Sequence, residues 1–182
     1  MKNGAFFYRG GAASHPPGHA TFVSVLAALV VSAAGSALAG DTASGIALYE
    51  QKRYAEAEAA LRGVEGVDAK AYLAASLAKQ RKYAEAEAPA GEALKANATH
   101  DMAVAALGEA LVGQDKFDAA IERMSAVIGA RPTVAYAYYW RGKAYNAKKQ
   151  PARMIDDLQA FLKLAPKAPE APAVQQLLAA LK

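Results

Sequence analysis

Side chains that could do chemistry are few in this 182-residue chain, and their spacing does not suit catalysis. His100 stands beside Asp101, and the only other histidines, His15 and His19, lie near the start of the chain. Ser44, Ser76 and Ser125 lack the glycine elbow that presents a nucleophile, and none has a histidine placed to activate it. Glu56/Glu58, Glu85/Glu87 and Asp156/Asp157 are two or one residue apart, which on a helix turns the carboxylates away from each other. They read as solvent faces, and His100–Asp101 reads as turn chemistry. Cysteine is absent, so thiolate catalysis, thiolate zinc and a structural disulfide are excluded together. There is no metal-ligand cluster and no phosphate-cradling glycine loop. The sequence therefore offers no catalytic residue, no metal and no cofactor, and does not read as an enzyme.

Recognition chemistry remains. Tyr136, Tyr139, Lys143 and Asn146 recur at three- and four-residue steps, so they share one face of a helix. That face is distinct from a second stripe, Tyr138, Gly142 and Tyr145, which is expected to pack inward. Two readings of the first stripe stand side by side. Its rings pad a helix interface, or they form an apolar wall with polar tips while Lys143 and Asn146 donate to a carbonyl or carboxylate. The second reading implies an acidic or C-terminal peptide as partner.

The elements that would position these residues repeat along the chain. Tyr54 to Ala59 reads Tyr-Ala-Glu-Ala-Glu-Ala, returns unchanged at Tyr83 to Ala88, and recurs in looser form at Phe117 to Ile121. Each copy follows a basic or polar step (Lys52-Arg53, Arg81-Lys82, Asp115-Lys116) and has an alanine one helical turn after the ring: Ala57, Ala86, Ala120. The alanine makes room for a neighbouring helix and the ring closes the gap. Tyr83 to Phe117 is 34 residues, and Tyr54 to Tyr83 is 29. The first unit must therefore be trimmed in its second helix or in the turn Gly63 to Gly66. Pro89 falls inside a helical stretch and predicts a kink. Thr99 and Thr133 are expected to cap helices, Asp115 with Asp118 to form a capping box, and Pro151 to open a helix.

With that period, the chain resembles the tetratricopeptide repeat (TPR), a pair of antiparallel helices with small and large residues at set positions. Val104, Leu107, Gly108, Leu111, Phe117, Ala120, Met124, Val127 and Pro132 carry the resemblance in the third copy. Tyr138, Gly142, Tyr145, Leu158, Phe161 and Pro166 carry it in the fourth, where Arg141, Pro151 and Met154 depart from the usual Leu, aromatic and Ala. The second copy is weaker, with Ala74, Leu77 and Ala90 at the Gly, Tyr and Phe positions, and the first keeps Gly45, Leu48, Tyr54, Ala57 and Leu61. The resemblance implies an all-α fold, a right-handed α-solenoid of about four TPR helix pairs plus a C-terminal capping helix. The expected organisation is a signal peptide at 1–39, a solenoid at 40–166 with repeats near 41–66, 67–100, 101–134 and 135–168, and a capping helix at 169–182. In that last segment Val174, Leu177, Leu178 and Leu181 form a one-sided apolar stripe. The resemblance also implies that the first helix of each pair lines a concave groove holding an extended peptide or a helix. Position by position, the lining is Thr42, Ile46, Tyr49; Asp68, Ala71, Ala75, Lys79; Met102, Ala105, Glu109, Val112; and Tyr136, Tyr139, Lys143, Asn146. From these, Lys79, Glu109, Tyr136, Tyr139, Lys143 and Asn146 are the candidate peptide-binding residues. The carboxylate clamp of the chaperone-binding members is missing, since its positions hold Thr42/Ile46, Ala71/Ala75 and Ala105/Glu109.

Composition agrees with thin, closely stacked helices, because much of the 54% hydrophobic content is alanine. Ala20 to Gly40 carries no charge, contains the apolar run Phe22 to Ala34, and includes Ala37-Leu38-Ala39, a small-x-small cleavage pattern. Cleavage after Ala39 makes the protein periplasmic or secreted. The alternative is an uncleaved single-span membrane anchor, for which about 20 apolar residues suffice. Without Lys2 and Arg9 of the leader, 19 of the 21 bases remain against 17 acids, so neither nucleic acid nor an anionic membrane surface is indicated. The expected function is an exported scaffold binding a peptide or helix of an envelope protein. The alternative is a structural or self-assembling subunit of an envelope complex.

Overall fold

A computed structural model of the chain describes residues 41–181, so the expected leader and its cleavage site lie outside the described part. Nine helices and no strand occur among the described residues. Four antiparallel pairs follow one another: α1 (Thr42–Glu50) with α2 (Tyr54–Leu61), α3 (Val67–Lys79) with α4 (Tyr83–Ala96), α5 (Asp101–Gly113) with α6 (Phe117–Ala130), and α7 (Ala135–Ala147) with α8 (Pro151–Leu164). A last helix, α9 (Ala171–Ala180), lies against α8. Each first helix also touches the first helix of the next pair, α1 to α3 to α5 to α7, which is the stacking of a solenoid. Among the described residues no helix is long and apolar enough to cross a membrane.

The turn inside each pair has one construction. Lys52, Arg81, Asp115 and Lys149 all adopt positive φ, at 62°, 62°, 58° and 56°. Their backbone N–H groups donate to the carbonyls of Tyr49, Ala78, Val112 and Asn146. The next residues, Arg53, Lys82, Lys116 and Gln150, donate to Leu48, Leu77, Leu111 and Tyr145 at 2.9–3.0 Å. This double closure is a Schellman motif, which satisfies the last carbonyls of the first helix and reverses the chain. The basic or polar step before each repeat is therefore the left-handed hinge of the pair, built without glycine.

The missing residues of the first unit are found in α2, which has eight residues where α4, α6 and α8 each have 14. Gly63 and Gly66 then turn the chain at φ 77° and 120°, angles that favour glycine. Helix α4 runs unbroken from Tyr83 to Ala96 with Pro89 inside it. The expected caps fall elsewhere. His100, one residue after Thr99, caps α5 by accepting the Ala103 N–H at Nδ1. Lys116 and Val134 precede α6 and α7 with no side-chain cap, while Pro151 opens α8 as expected. Asp115 is occupied as the left-handed hinge, so it is not free to sit at the N-cap.

Small residues govern the interior. Ala57, Ala86 and Ala120 are fully buried. A methyl added to Gly108 would overlap Cγ of Trp140, and one added to Gly45 would overlap Cγ of Leu61. Both glycines are therefore points of closest helix approach. A polar bolt joins successive pairs. Glu58 of α2 is buried and accepts from Gln80 (2.7 Å) and Lys82 (2.8 Å) in the next pair's turn, and also from Arg62. One repeat later Glu87 accepts from Gln114 (2.6 Å) and Lys116. The solvent-face reading thus holds for Glu56 and Glu85, which are exposed, and fails for Glu58. It fails also for Asp157, which is 5% exposed and makes a two-pronged pair with Arg141 at 2.7 and 2.9 Å. That arginine, in place of the usual apolar residue, also donates to Ser125 and lies over the rings of Tyr138 and Tyr145.

Candidate functional site

The first helices α1, α3, α5 and α7 present a common inner face, and a cavity of about 400 Å³ opens on it. Its aromatic walls are Tyr49, Tyr54, Tyr136 and Trp140, its apolar floor is Ala75, Met102, Ala105 and Ala106, and its charged groups are Lys52, Lys79, Asp101, Glu109 and Glu170. The rings are held by one another. Tyr49 stacks obliquely on Tyr54 (centroids 5.4 Å apart) and edge-on to Tyr72 (5.3 Å), so the wall from the first pair is braced by the second. On the far side Tyr136 meets Phe161 at 5.8 Å, and Tyr139 meets both Phe161 (5.0 Å) and Trp140 (4.9 Å). Pro169 and Glu170, in the turn before α9, close that end of the cavity. The Tyr136 hydroxyl donates to Glu170 at 2.9 Å and fastens the turn to α7.

Across the floor, Lys79 of α3 and Glu109 of α5 form an ion pair at 2.7 Å. Burial opposes the Lys79 ammonium, but the Glu109 carboxylate outweighs it and raises the lysine above its ordinary value. The phenols of Tyr49, Tyr136 and Tyr139 are all raised, in each case chiefly by burial. For Tyr136 the Glu170 carboxylate adds to the effect and keeps the proton on the phenol. At neutral pH these tyrosines are therefore donors with apolar bodies, grouped around one salt bridge.

Three of the six candidate residues, Lys79, Glu109 and Tyr136, line this cavity together. Tyr139 lies behind the wall, partly buried against Phe161. Lys143 and Asn146 are exposed further along α7 and do not line the cavity. Ala71 is fully buried and contributes to the core instead of the groove. Lys52, Tyr54, Asp101, Ala106, Trp140, Pro169 and Glu170 are not indicated by the first-helix register. Four of these come from turns or helix starts, Tyr54 opens a second helix, and Trp140 and Ala106 sit one position off the expected stripe. The proline-rich run Ala165 to Pro172 reads as a turn, but no residue pattern signals that it reaches the groove.

His100, the single histidine of the described residues, bridges two repeats, with Nε2 at 2.8 Å from Asp68 Oδ1. Asp101 beside it pairs with Arg131 at 2.6 Å. Both are engaged in contacts between repeats, and no group of His, Asp and Glu suited to a metal ion occurs among the described residues.

Comparison with solved structures defines the class. The TPR protein TTC0263 of Thermus thermophilus superposes with a TM-score of 0.65 at 18% identity, covering 77% of this chain and 78% of that one. YrrB, described as a TPR protein with an unusual peptide-binding site, gives 0.58 at 24% identity over 72% and 71% of the two chains. MamA of Desulfovibrio magneticus RS-1 gives 0.58 at 24% identity over 76% and 82%. No family model and no curated protein matches the sequence. The chain folds as a tetratricopeptide-repeat solenoid.

Proposed function

We propose that this protein is an exported interaction scaffold whose inner groove captures a peptide or a short helix of an envelope protein. The observation that carries the reading is the aromatic cavity around the Lys79–Glu109 pair, where rigid rings with polar tips converge from different repeats. Such rings lose little conformational entropy on binding and often dominate the energy of an interface. The description of YrrB as a TPR protein with a peptide-binding site supports a peptide ligand by analogy of fold. Export rests on the charge-free segment ending in Ala37-Leu38-Ala39. Mass spectrometry of the protein from the cell envelope is expected to give a mature chain beginning at Gly40, and an intact leader in the membrane fraction would make it an anchored form instead.

Ala105 is half-buried on the groove floor, so Ala105→Trp plugs the cavity while leaving the fully buried alanines in place. A photo-crosslinking residue at position 105 is expected to trap a partner in cells, one at exposed Ala179 to trap none, and the Trp variant to lose the partner with its helicity intact. Equal trapping from both positions would remove the groove as the capture surface. A second reading, a self-assembling or complex-forming subunit, draws on a different observation. Leu164, Leu177 and Leu181 at the C-terminal end are 40–49% exposed. Sedimentation separates the two readings, since self-assembly requires a concentration-dependent increase in mass that Leu177→Glu abolishes.

A further inference from the structure

Charges around the groove cavity are unequally satisfied. Glu109 is taken by Lys79 at 2.7 Å, and Asp101 by Arg131 at 2.6 Å. Glu170 has no cationic partner among the described residues; its contact is the Tyr136 hydroxyl at 2.9 Å, a neutral donor. It is partly buried and held toward the cavity by that bond. Lys52 also lacks an acidic partner among the described residues, but it lies exposed on the α1–α2 hinge and is free to solvate. An acidic or C-terminal ligand would rely on Lys143 and Asn146, which stand outside the cavity, or on displacing Glu109 from Lys79.

We propose that the cavity takes a basic side chain, the guanidinium or ammonium of an arginine or lysine on the partner peptide, set against Glu170 and between the tyrosine and tryptophan walls. The inference rests on reading the groove as the capture surface. Two forces act in the same place. Tyr49, Tyr136 and Trp140 line the cavity and bring ring quadrupoles that can attract a cation, and the Glu170 carboxylate supplies a charge-assisted acceptor. Tyr136 donates to that carboxylate and so fixes its orientation. The alkyl stem of the ligand side chain meets Met102 and Ala105, so the cavity offers contact along the whole length of a long basic residue.

A peptide-display selection tests this. Random dodecapeptides are selected on the immobilised protein and counter-selected on Ala105→Trp, so that only groove-dependent binders survive. Surviving peptides are expected to share an arginine or lysine whose replacement by alanine weakens binding about tenfold or more. Glu170→Gln, which preserves the acceptor for Tyr136, is expected to weaken them similarly, and Glu170→Lys to prefer peptides in which the basic residue is changed to glutamate. Groove-dependent binders without a basic residue, or with equal affinity for Glu170→Gln, overturn the basic anchor and leave the groove standing. A selection in which no binder responds to Ala105→Trp overturns both.

Discussion

Where α3 meets α4 and α5, the buried side chains are mostly alanine, Ala71, Ala74, Ala75, Ala90, Ala93 and Ala103 among them, whereas α7, α8 and α9 close over Met154, Leu158, Phe161 and Val174 with tyrosines around them. The first arrangement brings backbones close but removes little apolar surface from water per residue. It is therefore supplemented by polar bolts that fix the stagger of one pair on the next, such as Glu58 with Gln80 and Lys82. The second is thick enough to hold large rings and to enclose the Arg141–Asp157 pair. The groove cavity draws from both, with a floor of Ala75, Met102, Ala105 and Ala106 on α3 and α5, one wall from Tyr49 and Tyr54 of the first pair and the other from Tyr136 and Trp140 of the aromatic end. Its width follows from the alanines and its chemistry from the tyrosines.

The sharpest way to break the contrast is to remove volume at each end. Phe161 is fully buried and touches both Tyr136 and Tyr139. Phe161→Ala is expected to cost about 3–5 kcal/mol through lost transfer energy and a cavity. Ala90→Gly, at an equally buried site in the thin half, is expected to cost about 1 kcal/mol, mainly from helix propensity. Urea unfolding of the two variants gives the ratio, and equal costs would mean that the aromatic end is no more important to the whole than the alanine half.

The enclosed ion pair gives a slightly smaller effect. Arg141→Met leaves Asp157, 5% exposed, without its partner and is expected to destabilise by about 3 kcal/mol. Arg141→Leu combined with Asp157→Leu is expected to recover most of that loss, because the desolvation of both charges disappears with them. A double variant as unstable as the single one would show that the pair is required for more than charge balance, through the Ser125 and tyrosine contacts of the arginine.

The thin half should also respond to acid. Burial alone would raise Glu58, but donors from Lys82, Arg62 and Gln80 outweigh it and hold the carboxyl below its ordinary value. The folded chain therefore binds fewer protons at this site than the unfolded one. The stabilisation is complete above the ordinary carboxylate range near pH 4.5 and is lost as pH falls through the lower folded-state value. Glu58→Gln is expected to cost about 1–2 kcal/mol at neutral pH and progressively less in acid. Denaturation curves between about pH 2 and 7, taken on both proteins, should converge at the acid end. Parallel curves would place the acid sensitivity elsewhere.

How much of this is legible in the sequence depends on where the physical signal resides. The repeat is legible because an aromatic and an alanine one turn apart recur in three of the four helix pairs, and Ala57, Ala86 and Ala120 are buried as close helix approach requires. The burial of Glu58 is not, because helical spacing says which way a side chain points on its own helix, not what the next repeat brings against it. Lys79, Glu109 and Tyr136 follow from the first-helix register. Glu170 does not, since it reaches the cavity from a turn outside the repeat. Lys143 and Asn146 share a stripe with Tyr136, but the stripe runs on past the cavity. The hinge is visible as a basic or polar step, yet its conformation is hidden, because Lys, Arg, Asp and Lys occupy a backbone state that glycine usually marks.

That hinge yields the smallest effect, and one of opposite sign. A non-glycine residue in the left-handed region places Cβ too near its own carbonyl, at a cost of about 1–2 kcal/mol. Lys149 sits there at φ 56°, is exposed, and makes no side-chain hydrogen bond or salt bridge among the described residues. Lys149→Gly is therefore expected to raise stability by about 0.5–1 kcal/mol, the relief being partly offset by the extra freedom glycine gives the unfolded chain. Lys149→Ala removes the same side-chain atoms and keeps Cβ, so it should bring no gain. The pair of variants separates backbone relief from loss of a surface charge. Because Lys149 belongs to the α7–α8 turn, the gain should appear in the aromatic end. Arg81→Gly makes the same exchange between α3 and α4, where φ is 62° and no side-chain bond of Arg81 is made among the described residues. Equal gains would show that the hinge is an interchangeable local element of every pair; a larger gain at Arg81 would show that the thin half depends more on its turns than on its core.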